Sequence, residues 1–366
     1  MYKRQILIVA DERGKLVDFF EALQWTNWKN LTAEVKSQVF QQVVMYFVSP
    51  LKEITDVHFI KTSYAGIKCE TFELTIDEEP FVFVPGNYET ILGWDLGIQG
   101  LPITCWSKMW QEPLSPSLRR LIKGYGLSNA EEWGDFVNES MSPLRKATIP
   151  PMLVQKMALP AGTRLIGELD TVTGEFHGHV DQFETFGSEI RQAFQQPRSF
   201  EESLQWEMPR TISAENQYFA ELYPVSGNYH VYTHQRMTQN ELQHWLGQQG
   251  YDLMNEEQWE YVVGAGTRRL FRWGNEKPCE DGVKLTKKAL AEPNMFGLIY
   301  PYANGWELTD SSFLKMEDWP ECGNPLLDTL PYASYYRSRK MLQANQQLDP
   351  EKYRYRKAVI IDRERI

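Results

Sequence analysis

The chain has 366 residues, of which 42% are hydrophobic and 24% charged, and its net charge is −11. This composition predicts a globular fold with a substantial core and excludes an intrinsically disordered chain. The surplus of negative charge argues against a general binder of nucleic acids or anionic membranes, because phosphate contacts need a cationic face.

The N-terminal segment "MYKRQILIVADERGK" has an apolar run from Ile6 to Ala10, and charged residues follow it at once. This run is too short for the core of a secretory signal peptide. Nowhere do about 18 apolar residues run together, so we expect no membrane span. The expected location is cytoplasmic.

Residues 1–77 predict a small N-terminal α/β unit. "RQILIVAD" is typical of a buried strand, and "TAEVKSQVFQQVVMYFV" has the i,i+4 apolar spacing of an amphipathic helix with Thr32 as N-cap. "AGIKCETFELTID" alternates as a strand does. We place the end of this unit at the acidic stretch "DEEP", with a second domain over 78–366.

The second domain begins with "PFVFVPGNYETILGWD", which predicts a strand, a Pro-Gly turn and another strand. Further along, "RLIGELDTVTGEFHGHVDQF" predicts a hairpin that turns at Thr173 and Gly174. A polar, linker-like stretch follows near residues 195–211.

Two short helices with clear N-terminal signals follow. In the first, Thr238 and Glu241 have the spacing of a capping box. In the second, Asn255 is the predicted N-cap and Gln258 occupies the third helical position.

Three stretches, in this order and spacing, resemble segments of the formylglycine-generating enzyme (sulfatase-modifying factor) family. "FVFVPGNYETILGWD" is similar to the family's entry strand, and "GYDLMNEEQWEYVVGAGTRRLFRWGNE" and "PNMFGLIYPYANGWELTD" resemble two later motifs. The matching residues of these two are Leu253, Glu256, Trp259, Glu260, Tyr261, Trp273, Gly274 and Asn275, then Asn294, Phe296, Gly297, Leu298, Asn304, Trp306, Glu307 and Thr309.

The resemblance implies the fold of residues 78–366. It implies an irregular, loop-rich α+β domain of the kind shared with C-type lectins, preceded here by the small α/β unit. Irregular backbone must be shielded and its polar groups paired individually. We therefore expect Phe296, Leu298 and Trp306 to anchor the aromatic loop 293–310 to the core.

The family's own chemistry is not expected in this chain. Relatives hold copper with two cysteines near the C-terminus, since Cu(I) prefers soft thiolates. The corresponding residues 326–362 contain no cysteine, and Cys322 precedes them without a near partner. A second branch of the family binds iron through histidines of an added helical bundle, whereas residues 1–77 contain one histidine, His58.

The resemblance implies a calcium site at Asn304 and Glu307, because relatives bind calcium through oxygens of this motif and Ca²⁺ prefers hard oxygen ligands. Ala303 stands where the family has glycine, and Gly305 follows the asparagine. The alternative is that Asn304 caps a turn and Glu307 pairs with an arginine.

Four histidines form a second candidate site. His177 and His179, two apart on a predicted strand, would share one face. His230 and His234, with a carboxylate such as Asp181, could complete a site for iron, zinc or copper. The alternative is that they are strand and loop histidines without a metal.

Two other patterns favour structural roles. Glu256 and Glu260, four apart on one helix, could act as an acid/base pair but are more typical of structural carboxylates. The basic, tyrosine-rich residues 337–365 could contact nucleic acid, but they favour arginines packed against the aromatic core.

Two functions follow from these patterns. The first is a binding or scaffold module for a peptide, sugar or protein partner, with the fold kept and formylglycine generation lost. The second is a non-heme, metal-dependent oxidoreductase that uses iron or copper at the histidine site.

Overall fold

A computed structural model describes residues 8–10, 16–64, 66–101, 115–195, 206–223, 226–275, 292–299, 305–316 and 324–365. The α-helices in these ranges are α1 Phe19–Ala22, α2 Trp25–Trp28, α3 Ala33–Phe47, α4 Pro116–Tyr125, α5 Ala130–Glu139, α6 Val180–Phe183, α7 Gly187–Ala193, α8 Gln239–Gln248, α9 Glu256–Gly264 and α10 Pro325–Thr329. No helix in this part of the chain is long and apolar enough to cross a membrane.

The strands are β1 Ile8–Ala10, β2 Leu16–Asp18, β3 Ile54–Tyr64, β4 Ile67–Ile76, β5 Glu79–Val84, β6 Asn87–Leu92, β7 Arg145–Ile149, β8 Met152–Gln155, β9 Leu159–Pro160, β10 Thr163–Leu169, β11 Phe176–Gly178, β12 Thr211–Ala214, β13 Tyr218–Leu222, β14 Tyr229–His234, β15 Asp252–Leu253, β16 Trp306–Glu307, β17 Tyr353–Tyr355 and β18 Lys357–Ile360. Short 3₁₀ helices occupy Leu330–Tyr332 and Arg363–Arg365. The predicted α+β class is confirmed.

The chain forms two compact units. The major unit comprises Met1–Ala158, Gln243–Gln343 and Arg356–Ile366, and the minor unit comprises Leu159–Leu242 and Ala344–Tyr355. Each unit is therefore built from segments that are distant in sequence.

An antiparallel six-stranded sheet in the order β15-β18-β8-β5-β4-β3 forms the centre of the major unit. One core cluster contains Trp133 and Trp259 together with Phe296 and Leu298 of the aromatic loop, all of them buried. Trp306 is also buried. The three loop residues expected to anchor the aromatic loop are thus in the interior.

The domain boundary predicted after residue 77 falls inside this sheet. β4 and β5 pair as a hairpin in which Ile76 faces Glu79. The two-residue turn between them places Asp77 at φ 48° and Glu78 at φ 68°, the left-handed pair of a type I′ turn. Residues 54–76 therefore belong to the same sheet as β5, and the acidic stretch is a tight turn.

The minor unit contains an antiparallel sheet in the order β11-β10-β14-β13-β12. Phe183 of α6 and Ile190 of α7 join Leu169 and Val231 in a separate core cluster, so the helices cover one face of this sheet. The predicted hairpin at Thr173 and Gly174 is confirmed as the β10–β11 connection.

Residues 344–355 return to the minor unit late in the chain. β17 pairs with β9, and the Tyr355 hydroxyl donates to the Thr163 carbonyl at 2.9 Å. Arg354 forms two hydrogen bonds of 2.7 Å with Glu221 of β13, and both side chains are almost fully buried. This segment thus contributes a buried ion pair to the minor unit.

Candidate functional site

The aromatic loop of the major unit is organised by Asn294. Its side-chain amide donates to the Val262 carbonyl at 2.8 Å, and its oxygen accepts from the backbone N–H groups of Phe296 and Leu298 at 3.0 and 3.1 Å. Gly297 lies between them at φ 90°, a conformation that favours glycine. Asn294 thus pairs part of the irregular backbone of residues 294–298 through one buried amide, a structural role.

Glu307, the described member of the predicted calcium pair, contacts an arginine. Arg356 donates from Nε to Glu307 Oε1 at 2.8 Å, and both side chains are almost fully buried. Other guanidinium nitrogens of Arg356 donate to the carbonyls of Gln155 and Ile299. This is the arginine pairing that the sequence offered as the alternative to calcium. Asn304 lies outside the described residues.

Glu256 and Glu260 of α9 are held in a network of cations. Lys315, fully buried, places Nζ 2.7 Å from Glu256 and 2.8 Å from Glu260. Arg337 also contacts Glu256, and Arg145 donates to Glu260 at 3.1 Å. Burial acts to raise the pKa of Glu256, but the bond from Arg337 and the charge of Lys315 outweigh it and lower the pKa to about 2. These contacts suit a structural ion network.

Cys69 is the free cysteine among the described residues, and it is buried in β4. Burial raises the pKa of its thiol to about 12. Since the thiolate is the nucleophile and the metal ligand, this thiol is unreactive at neutral pH.

The cations of residues 337–365 contact aromatic rings as well as carboxylates. The Arg337 guanidinium lies 4.2 Å from the centroid of the Phe313 ring, and Arg339 lies 4.0 Å from that of Tyr125. With the buried pairs of Arg354 and Arg356, these contacts match the structural role predicted for this segment.

Two of the four predicted histidines flank one glutamate in the sheet of the minor unit. Glu168 of β10 faces His177 of β11 on one side and His230 of β14 on the other. His230 Nε2 lies 3.0 Å from Glu168 Oε1, and the His230 ring stacks on Tyr223 at 4.4 Å. The hydrogen bond from His230 lowers the pKa of Glu168.

The prediction that His177 and His179 share one strand face is wrong for His179. β11 ends at Gly178, and His179 is the N-cap residue of α6. β11 approaches β10 so closely that a Cβ on Gly167 would lie 2.2 Å from the His177 carbonyl oxygen. Helix α6 begins here, so His179 lies at the end of the strand, where its backbone N–H donates to the Ile166 carbonyl of β10 at 2.8 Å.

His234 lies at the far end of β14, opposite Thr163. At about 3.3 Å per residue, four residues separate it from His230 by about 13 Å, too far to share one ion. Among the described residues, no group of three or more His, Cys, Asp or Glu side chains could hold a metal ion. The four histidines are thus not brought together.

His234 instead lines a pocket in the minor unit. The pocket has a volume of about 320 Å³. Its lining residues are Ser213, Glu215, His234, Arg236, Gln347, Leu348, Asp349, Pro350 and Glu351. They come from the edge of the sheet and from the returning segment 344–355.

The His234 ring is buried in this pocket without a normal hydrogen bond. Its exposed fraction is 9%, and neither ring nitrogen has a partner among the described residues. Burial lowers the pKa of His234, although Glu215, Asp349 and the Ala214 backbone partly oppose the shift. The ring is therefore a buried, neutral imidazole in the wall of the pocket, with the Ala214 backbone as a hydrogen-bonding neighbour of poor geometry and with both nitrogens covered from solvent.

Residues 164–233 match a family described as a profilin-like domain of unknown function (DUF7278). The match lies wholly within the minor unit. It runs from the second residue of β10 to the residue before His234. A search of curated proteins found no match to the chain.

The sequence patterns predict one domain over residues 78–366 and indicate neither the pocket nor a separate profilin-like domain. The hairpin at Thr173 and the strands of residues 211–234 could have indicated a separate antiparallel sheet. The pocket has no local signal, because its two sides are more than one hundred residues apart in sequence.

Proposed function

We propose that this protein is a binding or scaffold module for a peptide, sugar or protein partner, and that it lacks formylglycine-generating activity. The observation that carries the proposal is a pocket of about 320 Å³ in the minor unit, lined by three carboxylates, Arg236 and the buried imidazole of His234. Pockets with a few convergent polar groups are the usual sites of ligand binding. The candidate acid/base carboxylates of the major unit, Glu256 and Glu260, in contrast, already contact the buried Lys315.

We further propose that the major unit has the irregular fold of the formylglycine-generating enzyme family, with the minor unit inserted into it. The three stretches that resemble the family all fall within the major unit, at 81–95, 250–276 and 293–310. Two details support this proposal: the capping box of Asn255 and Gln258, and the buried amide of Asn294. The insertion would account for the long separation between the first and second stretch.

The second candidate function is the metal-dependent oxidoreductase. His177, Glu168 and His230 occupy one row across the sheet, but the described residues form no group of three side chains that could hold a metal ion, so this candidate rests on the sequence pattern. Calcium at Asn304 and Glu307 likewise stays a prediction, and it would have to displace Arg356 from Glu307.

Ring spectra of the full-length protein with isotope-labelled histidine would test the binding function. The chain has six histidines, so the spectrum is simple, and His234→Gln identifies the decisive signal. We expect members of a panel of basic, acidic and neutral short peptides and simple sugars to shift the His234 signal. The exposed His58 of the major unit is the internal control. If no member of the panel shifts His234, the proposed function is wrong.

Elemental analysis of the purified protein separates the two functions. Stoichiometric iron or copper that is lost in His177→Ala or His230→Ala would overturn the binding function. Calcium alone would be compatible with it.

A further inference from the structure

We propose that the His234 pocket binds the cationic group of a basic peptide side chain, the guanidinium of arginine or the ammonium of lysine. This inference rests on the proposed binding function and names the ligand of the same site. It follows from the charges at the rim, from one carboxylate without a cation, and from the apolar and imidazole surfaces below the rim.

The rim of the pocket carries three carboxylates against one lining cation. Glu215, Asp349 and Glu351 line the pocket together with Arg236. Arg236 lies 2.6 Å from Glu215, and both side chains are more than half exposed. Exposed pairs of this kind contribute little and are readily exchanged for a better-placed partner.

Glu351 is the carboxylate most available to a ligand. Its Oε1 accepts from the Thr211 hydroxyl at 2.9 Å, and no cation lies within ion-pair distance of it in the described ranges. Asp349 contacts Lys352 at 3.0 Å across an exposed pair. An ionised carboxylate can accept about four hydrogen bonds, so Glu351 retains acceptor capacity toward the pocket.

The deeper wall suits the rest of such a side chain. Leu348 and Pro350 are buried and apolar, and they offer a surface to the methylene stem of arginine or lysine. The buried, neutral imidazole of His234 adds a flat ring surface to this wall. A cationic head group would therefore meet acceptors at the rim while its stem lies on the wall.

The size and charge of the molecule agree with this ligand. A volume of about 320 Å³ lies at the low end of small-molecule sites, which favours one inserted side chain over a long segment. The net charge of −11 attracts cationic partners over distances comparable to the Debye length.

Calorimetric titrations of the full-length protein with single-residue probes would test the inference. The probes are the N-acetyl amides of arginine, lysine, glutamine and glutamate, and methylguanidinium as a small cation without a peptide backbone. We expect the arginine or lysine probe to bind and to shift the His234 ring signal, with weaker binding at higher salt. The glutamine and glutamate probes should not bind. Methylguanidinium should bind more weakly than the arginine probe, because it lacks the stem and the backbone.

Charge-removing variants locate the contact. Glu351→Gln should weaken binding of the basic probe by about tenfold, since bonds to charged groups are about twice as strong as neutral ones. Asp349→Asn provides a second variant at the rim. Glu175→Gln is the matched control, because Glu175 is an exposed carboxylate of the same unit outside the pocket. It should bind the probe as the wild type does.

The outcomes separate this inference from the proposed function. If only neutral, acidic or sugar ligands shift His234, the inference is overturned and the binding function stands. If methylguanidinium binds as tightly as the arginine probe, the ligand is a free small cation, and the proposal that the cation belongs to a peptide is overturned. Equal weakening by Glu175→Gln and Glu351→Gln would also overturn it, because the effect would then reflect overall charge. If nothing shifts His234, both proposals fail.

Discussion

Removal of the Lys315 ammonium should destabilise the major unit by about 3–5 kcal/mol. Its Nζ lies 2.7 Å from Glu256 and 2.8 Å from Glu260, and the Lys315 and Glu260 side chains are fully buried. In Lys315→Met the methylene volume is largely kept while the charge is lost. Glu260 then retains Arg145 at 3.1 Å as its charged partner. A buried carboxylate that loses one cation costs about 3–5 kcal/mol in mutational studies.

Tryptophan fluorescence during urea unfolding at pH 7 measures this loss in the correct unit. Of the 12 tryptophans in the sequence, Trp206 alone falls within Leu159–Leu242 and Ala344–Tyr355. The fluorescence change therefore reports mainly on the major unit. Lys146→Met is the matched control, because Lys146 is an exposed lysine of the same unit and its loss should change the free energy of unfolding by at most about 0.5 kcal/mol.

The double variant Lys315→Met/Glu260→Gln tests the reasoning itself. If the cost comes from a buried carboxylate that has lost one of its two cations, neutralising Glu260 should recover part of it, so that the two changes are not additive. A loss of less than about 1 kcal/mol in the free energy of unfolding of Lys315→Met would refute the role assigned to the Lys315 charge. The role is also refuted if the loss in the double variant equals the sum of the losses in the two single variants.

Three further predictions concern other ion pairs. The pKa of Glu256 falls from 4.5 to about 2 on folding, so its contribution to stability, up to about 3 kcal/mol, should be present above pH 4.5 and lost as the pH falls toward 2. In Glu256→Gln the unfolding midpoint should therefore depend less on pH across this range than in the wild type. An unchanged pH dependence would contradict this role of Glu256. Arg354→Met should cost the minor unit about 3 kcal/mol and speed amide exchange there, since Glu221 would lose two bonds of 2.7 Å and keep only Arg210 at 3.8 Å; unchanged exchange would count against this. The calcium prediction requires that millimolar calcium raise the unfolding midpoint and that Glu307→Gln abolish the rise; without a rise, Glu307 serves only Arg356.

Sequence patterns predicted the elements whose signals are local. Thr32 accepts from the Val35 N–H at the start of α3, and the capping box of Asn255 and Gln258 forms at α9 as expected. Each of these signals depends on residues within one helical turn. The same holds for the hairpin at Thr173, which needs only a short turn between alternating strands.

The domain boundary could not be predicted in the same way. The turn between β4 and β5 uses Asp77 and Glu78 in left-handed conformations, where hairpins of this type usually carry Asn-Gly. An acidic pair gives no hairpin signal and is typical of a linker. The pairing of Leu74 with Phe81 and of Glu73 with Val82 overcomes that local preference, and sequence alone does not report such pairing.

The candidate site depends on contacts that are distant in sequence. The sequence offers His234 as a candidate metal ligand together with His230, but four residues of strand separate the two. Asp349 and Glu351, which give the pocket its charge, are brought to it by the returning segment. No spacing rule connects these residues.

The returning segment also sets the order in which the protein can be completed during synthesis. The sheet of the minor unit is finished at β14, but the cation that forms two hydrogen bonds with the buried Glu221 is Arg354, whereas Arg210 lies farther away, at 3.8 Å. While residues 243–343 are being translated, Glu221 lacks this partner, and the wall of the pocket formed by 347–351 is missing as well. The minor unit therefore cannot be completed until residues 344–355 have been synthesised. A fragment that ends before residue 344 should be less stable than the complete minor unit and more readily bound by chaperones or cleaved by proteases.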